Sequence, residues 1–158
     1  MAYAIRPYRD EDAEAVAAVC AAAIEAIGPR AYAPEQVAAW RARHPGPQRY
    51  RDVVADGAEI IVAADEQDEP VAYALLERDG HLDHLYCHPD HTRRGLADLL
   101  LAETEVMARH WGVERLYTEA SDLARPAFER TGYSVTHKRE FEIDGVPIHN
   151  WAMEKPLI

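Results

Sequence analysis

The feature that most constrains the fold is a junction near the middle of the chain, where a predicted strand runs into a long predicted helix. The strand is the apolar run 85–87, and the turn that follows it ends at Gly95. Such a turn leaves main-chain N–H groups free at the start of the helix, where the helix dipole also attracts an anion. Arg93 and Arg94 add charged donors that match phosphate oxygens. The junction therefore predicts a cradle for a pyrophosphate group.

This junction resembles motif A of the GNAT acyltransferase superfamily, whose pattern is Gln/Arg-x-x-Gly-x-Gly/Ala. The six positions of this chain read Thr92-Arg93-Arg94-Gly95-Leu96-Ala97. Gly95 and Ala97 match the pattern, whereas Thr92 stands where Gln or Arg is usual. The departure is mild because main-chain N–H groups make most of the cradle.

The resemblance extends over nearly the whole chain. The run 5–12 is similar to a GNAT start, the run 120–133 to the closing helix of the family, and the run 150–155 to its last strand. The resemblance implies an α+β fold of the GNAT type, with one mixed central sheet flanked by helices, and a single domain over 1–158. The order of the predicted elements agrees, because strands and helices do not alternate strictly.

Periodicity and turn signals predict the individual elements. The expected strands are Tyr3 to Pro7, Ile60 to Ala64, Val71 to Glu77, Leu82 to Cys87, Arg115 to Ala120 and two strands that flank the turn Asp144-Gly145. The expected helices are 10–28, 34–45, 94–110 and 122–131. The third of these helices is expected to direct one apolar face toward a sheet, with Leu96, Leu99, Leu100, Val106, Met107 and Trp111.

Composition limits the number of domains, the location and the partners that we expect of the protein. A length of 158 residues with 48% apolar residues suits one domain with a real core. The chain has no apolar run of transmembrane length and no signal-peptide pattern, so we expect no membrane partner. Cys20 and Cys87 are expected to be buried and reduced, which fits a cytoplasmic location. The formal net charge of −11 argues against a nucleic acid partner, because binding to phosphates needs a basic face.

The resemblance implies an N-acetyltransferase that moves an acetyl group from acetyl-CoA to a primary amine by direct attack in a ternary complex. The sequence leaves open whether the amine belongs to a small molecule or a protein, whether a longer acyl-CoA is used, and whether the chain forms a homodimer. The run Arg93-Arg94-Gly95-Leu96-Ala97-Asp98 is expected to hold the pyrophosphate. The backbone of Leu85-Tyr86-Cys87 is expected to orient the thioester. Ser121 and Phe128 are expected cofactor contacts, because they take the places of an Asn and a Tyr in the family.

Transfer to an amine needs a base. An alkyl ammonium with a pKa near 10.4 is neutral in only about one molecule in a few thousand at pH 7. The candidates are Asp83, His84 and Glu119, and strand alternation sends Asp83 and His84 to opposite faces. Glu119 is the first choice because it lies near a strand end, where the cleft of the family opens.

The general acid is where the sequence departs from the family. Phe128 stands where a Tyr hydroxyl usually lies near the sulfur of CoA, and phenylalanine cannot donate a proton. Either another group such as Tyr86, Tyr117 or Ser121 serves, or water protonates the thiolate, or the protein binds CoA without efficient turnover. We take Tyr86 and Glu119 as the candidate catalytic residues. The alternative function is a non-catalytic CoA-binding sensor or protein-interaction domain on the same fold.

A histidine-rich run could alternatively be a metal site, and it contains His81, Asp83, His84, His88 and His91. His88 and His91 could converge on an ion. However, strand alternation separates His81 and Asp83 from His84, and the turn is already assigned to phosphate. We therefore expect no metal.

Aromatic residues of the early helices are candidates for the acceptor pocket. Tyr32, Trp40 and Tyr50 could attract an ammonium through cation–π contacts, and the strand of Trp151 could form the opposite wall. Packing in the core is the other interpretation of these rings. Cys87 fills the usual valine position of the motif, so we expect an apolar packing residue rather than a nucleophile.

Overall fold

The computed structural model describes residues 2–157, which form five α-helices and seven β-strands. The strands are β1 (Ala4–Pro7), β2 (Glu59–Ala64), β3 (Pro70–Leu76), β4 (Leu82–Cys87), β5 (Arg115–Ala120), β6 (Ser134–Ile143) and β7 (Val146–Pro156). The helices are α1 (Ala13–Ile27), α2 (Pro34–Ala42), α3 (Gln48–Ala55), α4 (Leu96–His110) and α5 (Arg125–Arg130). None of the helices in this range is long and apolar enough to cross a membrane.

The strands form two antiparallel sheets, with the orders β1-β2-β3-β4 and β5-β7-β6. The α+β class is confirmed, but the expectation of one mixed sheet needs correction. The two sheets meet at a single parallel bridge between His81 and Tyr117. Next to this bridge the Thr118 hydroxyl donates to the Leu82 carbonyl at 2.7 Å, so a side chain takes the place of the next ladder bond. The strands β4 and β5 therefore separate, and a cleft opens between them.

Helices cover both faces of the first sheet, which explains why β2 and β3 are almost completely buried. One face packs against α1 and α3 through Ile60, Val62, Tyr73 and Leu75. The other face packs against α4 through Ile61, Ala63, Ala72 and Ala74. Strands that are covered on both faces read as continuous apolar runs, as these two do.

The first helix starts after an acidic turn that is held by arginine. The Asp12 carboxylate accepts hydrogen bonds from the Arg6 guanidinium at 2.8 and 3.0 Å and from the Arg9 main-chain N–H at 2.8 Å. Burial alone would raise the pKa of Asp12, but these donors outweigh it and lower the pKa. The buried face of α1 includes Cys20, which is 1% exposed, as expected.

The expected orientation of α4 is wrong at two positions. Leu99 and Val106 are 51% and 61% exposed. The buried face runs through Leu96 and Leu100, as expected, and continues to Ala108. These positions recur at multiples of four residues, and the two exposed side chains lie outside that stripe.

The helix α3 was not among the expected elements. It is only eight residues long, and its single buried residue is Tyr50. The helix begins directly after its N-cap Pro47, five residues beyond the end of α2 at Ala42. The first five expected strands lie within one residue of the observed bounds, whereas α1, α4 and α5 begin two or three residues later than expected.

Candidate active site

The N-terminus of α4 carries free main-chain donors. A single turn of 3-10 helix, Pro89–His91, connects β4 with the segment before α4. Arg93 and Gly95 have positive φ angles of +61° and +78°, so the chain turns sharply before the helix begins. The Leu99 amide donates to the Gly95 carbonyl at 3.2 Å, which leaves the amides of 96–98 without a partner inside the helix. This arrangement agrees with the cradle that the sequence predicts.

A side chain at position 95 would extend into open space. A Cβ built on Gly95 meets no heavy atom of the protein within 4 Å. The positive φ favours glycine here, and the space beside it remains available to whatever approaches the helix end. Gly112, at the other end of α4, has the same φ of +78° and equally open surroundings. The two glycines therefore form a matched pair for substitution.

The side chains at the cradle contribute charge in different ways. Arg93 and Arg94 are exposed, and neither has a carboxylate partner within residues 2–157. The Asp98 carboxylate is 3.1 Å from Arg130, which offsets its negative charge next to the helix end. Leu96 is 2% exposed, so its side chain belongs to the core and not to the surface of the cradle.

A cleft of about 350 Å³ opens where β4 and β5 separate. Its other walls come from the connection between α2 and α3 and from β6 and β7. The cleft brings together five of the predicted site residues, namely Leu85, Tyr86, Glu119, Ser121 and Phe128. Cys87 and the residues Arg93 to Asp98 do not line it. The cradle and the cleft are thus distinct regions that β4 connects.

Two of the four aromatic residues expected at the acceptor pocket line the cleft. Tyr32 and Trp40 do so, with their ring centroids 5.6 Å apart. Tyr50 is 2% exposed and belongs to the core. Trp151 lies outside the lining, where its Nε1 donates to Asp122 at 2.7 Å.

Glu119 belongs to a row of three charged groups at one end of the cleft. The His81 ring lies between two carboxylates, with Nδ1 2.5 Å from Glu77 Oε1 and Nε2 2.7 Å from Glu119 Oε1. Burial opposes the charged form of His81, but these hydrogen bonds outweigh it and raise its pKa to about 9. The bond from His81 in turn lowers the pKa of Glu119. At neutral pH a charged His81 therefore holds Glu119 as a carboxylate.

The other two base candidates differ in burial. His84 is 3% exposed, and its Nδ1 is 2.9 Å from the Tyr73 hydroxyl. Burial lowers the pKa of His84 to about 3, so its ring is neutral and a weak base. Asp83, the preceding residue of β4, is exposed whereas His84 is buried, so the two side chains lie on opposite faces of the strand, as expected. Both residues nevertheless reach the lining of the cleft.

Tyr86 and Ser121 are the acid candidates that reach the cleft. The Trp40 Nε1 donates to the Tyr86 hydroxyl at 3.2 Å, and the structure over 2–157 shows no acceptor for the proton of that hydroxyl. Burial raises the pKa of Tyr86 well above its ordinary value, so the hydroxyl stays protonated. The Ser121 oxygen accepts a hydrogen bond from the Ala124 amide at 3.1 Å, as in a helix cap.

Two neighbouring aromatic residues do not supply a proton to the cleft. Phe128 is 2% exposed and packs edge-on against Tyr133, with ring centroids 5.0 Å apart. The Tyr117 hydroxyl donates to Asp79 at 2.5 Å, outside the lining of the cleft. Of the three hydroxyl groups considered from the sequence, only those of Tyr86 and Ser121 therefore remain.

Cys87 is bonded to the turn that follows it. Its thiol donates to the main-chain carbonyls of His88 and His91 at 3.6 and 3.3 Å. Burial raises the pKa of Cys87 to about 11, so the thiol stays protonated at neutral pH. These contacts agree with the expected packing role.

The histidines of the turn make other bonds. The Nδ1 of His91 is 2.9 Å from the Tyr3 hydroxyl, and the ring centroids of His88 and His91 are 6.0 Å apart. Within the part of the chain that the structure describes, two other sets of side chains place metal-ligating atoms within 4.8 Å of one another. These sets are Cys20 with His44 and His84, and Glu77 with His81 and Asp83. The expectation that the protein holds no metal stays a prediction.

Several residues of the cleft were not predicted from the sequence. His149 Nε2 is 2.9 Å from both carboxylate oxygens of Asp122, and the Tyr32 hydroxyl donates to the His149 carbonyl at 3.1 Å. Three arginines also line the cleft, namely Arg43, Arg49 and Arg139. These residues come from distant segments, and none forms a local motif that could have revealed it.

Comparison with known proteins identifies the family to which this chain belongs. Residues 29–155 match a protein-family profile described as an acetyltransferase (GNAT) domain. The chain belongs to the GNAT acetyltransferase family. A GCN5-related N-acetyltransferase from Rhodopseudomonas palustris is 32% identical and has a TM-score of 0.90, over 99% of this chain and 97% of that one.

Two further relatives extend the comparison for this GNAT protein. An uncharacterized N-acetyltransferase of Mycobacterium bovis is 26% identical over 154 residues, which cover 93% of this chain and 99% of the relative. The PaiA N-acetyltransferase of Thermoplasma acidophilum, solved in complex with coenzyme A, is 17% identical with a TM-score of 0.78, over 99% of each chain. The family resemblance and the GNAT fold are confirmed.

Proposed function

We propose that this GNAT protein is an acetyl-CoA-dependent N-acetyltransferase, with acetyl-CoA at the α4 cradle and a primary amine in the cleft. The observation that carries the proposal is a free helix N-terminus connected by β4 to a cleft that contains a carboxylate and an unused hydroxyl proton. The Thermoplasma relative was solved with coenzyme A, which supports the same donor here. We also propose that residues 1–158 act as one domain, without a metal, in the cytoplasm.

The cradle suits the pyrophosphate of acetyl-CoA, which supplies an activated acetyl thioester when it is bound. The amides of the run 93–98 would donate to phosphate oxygens, helped by the helix dipole. Arg93 and Arg94 would add charge, and neither must first leave a carboxylate partner. The open space at Gly95 lets the ligand approach the backbone. In this proposal Ser121 and Phe128 contact the donor from the cleft side.

The free edge of β4 would orient the reacting end of the donor. Within the described residues β4 pairs with β3 on one side only, because β5 belongs to the other sheet. The main-chain groups of Leu85, Tyr86 and Cys87 on this free edge would therefore be available to a ligand. Donors fixed in this way can bind the carbonyl oxygen as it gains negative charge.

Glu119 would remove a proton from the bound ammonium, directly or through one water. His81 keeps this carboxylate ionised, so it can accept a proton at neutral pH. The lowered pKa makes Glu119 a weak base for a free ammonium. Its contribution is therefore to bind the cation and pass the proton on, while the amine itself attacks. His84, with its pKa near 3, is less suited to this role.

Tyr86 would donate its hydroxyl proton toward the departing sulfur. The Trp40 Nε1 already occupies one acceptor site of the hydroxyl, so the proton is directed elsewhere. The raised pKa keeps the hydroxyl protonated until the sulfur departs. Tyr86 would thus replace the hydroxyl that Phe128 lacks.

The alternative proposal is a CoA-binding protein without transfer activity, and Phe128 is the observation that favours it. The deciding experiment follows the release of CoA thiol from acetyl-CoA with and without primary amines of different charge. We expect thiol release that depends on an amine and yields one acetylated amine for each thiol. Binding of CoA without release by any amine would contradict the proposed enzyme and favour the alternative.

A further inference from the structure

Arginines without carboxylate partners are concentrated at two places in this acidic chain. The chain has fifteen arginines, and within residues 2–157 nine of them lie within 4.0 Å of a carboxylate. The remaining six are Arg30, Arg43, Arg49, Arg93, Arg94 and Arg139. Two of these are at the cradle, where the proposed function already requires an anion. Three others line the cleft.

The cleft arginines come from two of the walls of the cleft. Arg43 and Arg49 flank the start of α3, and the Arg49 guanidinium is 3.4 Å from the Arg43 carbonyl. Arg139 lies on β6, where it donates to the Asn150 side chain at 3.0 Å. An anion between the walls could therefore accept hydrogen bonds from more than one guanidinium.

Their charges also act on the titratable groups of the cleft. Burial, and then the charge of Arg49, lowers the pKa of His84 to about 3. The hydrogen bond from His81, and more weakly the charge of Arg139, lowers the pKa of Glu119. Against these arginines the lining offers the carboxylates Asp83 and Glu119, and Glu119 is already paired with His81. The cleft is positive even though the whole chain carries a formal net charge of −11.

We propose that the acceptor is a small primary amine that also carries an anionic group, either a carboxylate or a phosphonate or phosphate. The anionic group is bound by Arg43, Arg49 and Arg139, while the ammonium lies near Glu119 and Asp83. This inference rests on the proposed function and names the substrate class of the same cleft. A polyamine would place additional positive charge beside three unpartnered arginines, so the same geometry disfavours it.

The test compares acceptors that differ only in charge. Phenylalanine is paired with phenylalaninamide and with its aminophosphonate analogue, and spermidine serves as a cationic acceptor. We expect kcat/KM to be at least about tenfold higher for an acid than for the amide, as one guanidinium contact is worth about 1.4 kcal/mol or more. The amino group of phenylalaninamide is less basic than that of phenylalanine, so a larger fraction of it is neutral and able to attack. This difference favours the amide, so a preference for the acid cannot result from it. The two acids show which anionic group the arginines prefer.

Substitutions test whether the three cleft arginines cause the preference for acidic acceptors. Arg43→Gln, Arg49→Gln and Arg139→Gln should each raise the KM of the acidic acceptor about tenfold and leave the KM of acetyl-CoA unchanged. Arg30→Gln removes an unpartnered arginine outside the cleft and should change neither constant. The proposal is overturned if wild-type protein acetylates the amide or spermidine as well as the acids, or if the cleft variants behave like Arg30→Gln. If no amine of any charge is acetylated, the proposed function itself fails, which is a different result.

Discussion

The cradle and the cleft would bind their proposed ligands by different means. The cradle consists of main-chain amides at one helix end, and the two arginine side chains beside it are exposed. The cleft consists of side chains from β4, β5, β6, β7 and the early helices, and its rings and carboxylates bond to one another. A backbone site depends on the local turn, whereas a side-chain site depends on how distant segments pack. Substitutions should therefore affect the two regions separately.

The largest expected effect is at the cradle. Gly95→Glu should weaken CoA binding by about a thousandfold or more, because a charged side chain fills the open space beside the free amides. The control Gly112→Glu has the same φ of +78° and should lose a similar, small amount of stability. Calorimetric titration with CoA measures both. Equal affinities in the two folded variants would contradict the position of the cradle.

The next effect is at the cleft and should leave the cradle intact. Tyr86→Phe should lower kcat by about a hundredfold, because it removes one donor aimed at charge that develops during transfer. The KM of acetyl-CoA should stay within about twofold. Tyr117→Phe is the control, since its hydroxyl lies outside the cleft lining. If both variants keep full activity, Tyr86 is not the acid, and Ser121 or water supplies the proton.

The buried ion pair of the cleft should make stability depend on pH. The pKa of His81 is raised from an ordinary 6.5 to about 9 in the folded protein, so its contribution is complete below about pH 6.5 and is lost as pH rises through 9. At about 1.4 kcal/mol per tenfold change in proton affinity, this loss is about 3 kcal/mol at most. The depressed pKa of Glu119 has the opposite sign, and its contribution is lost as pH falls below its ordinary value. Urea unfolding at several pH values should show a decline between pH 6.5 and 9 that His81→Gln reduces.

The smallest expected effect distinguishes the roles of Glu119 and Glu77, the two carboxylates bonded to His81. Glu119→Gln should lower kcat/KM about tenfold near pH 7, and the deficit should shrink toward pH 9 as more amine becomes neutral by itself. Glu77→Gln disturbs the same histidine but does not line the cleft, so its kcat/KM should stay within about twofold. Identical pH profiles for the two variants would show that Glu119 acts only through His81.

The same contrast explains what could be predicted from the sequence. The cradle lies in one contiguous run, so the sequence alone locates Gly95 and the arginines beside it. The bounds of β4 and β5 were also predicted correctly, because turn signals precede both strands, Asp79-Gly80 before β4 and Gly112 before β5. The missing helix α3 spans only eight residues, so its apolar positions Tyr50, Val53 and Val54 recur at helical spacing over little more than one turn, which is too short a pattern to identify a helix.

The cleft could be predicted only in part. Glu119 and Tyr86 lie on strands that the family resemblance already singled out, and both reach the cleft. His81, which sets the charge of Glu119, is 38 residues away along the chain. Arg139 becomes a neighbour only through the pairing of β6 with β7. Such contacts follow from tertiary packing, so no local pattern could predict them.

The most direct test of the account is a titration of the 17.8 kDa protein with CoA, followed residue by residue through its amide NMR shifts. We predict that the largest shifts fall on the amides of 93–98. The amides of Arg43 and Arg139 should move little until an acidic amine is added. Shifts centred on the α2–α3 connection and β6, with none at 93–98, would contradict the separation of donor and acceptor sites.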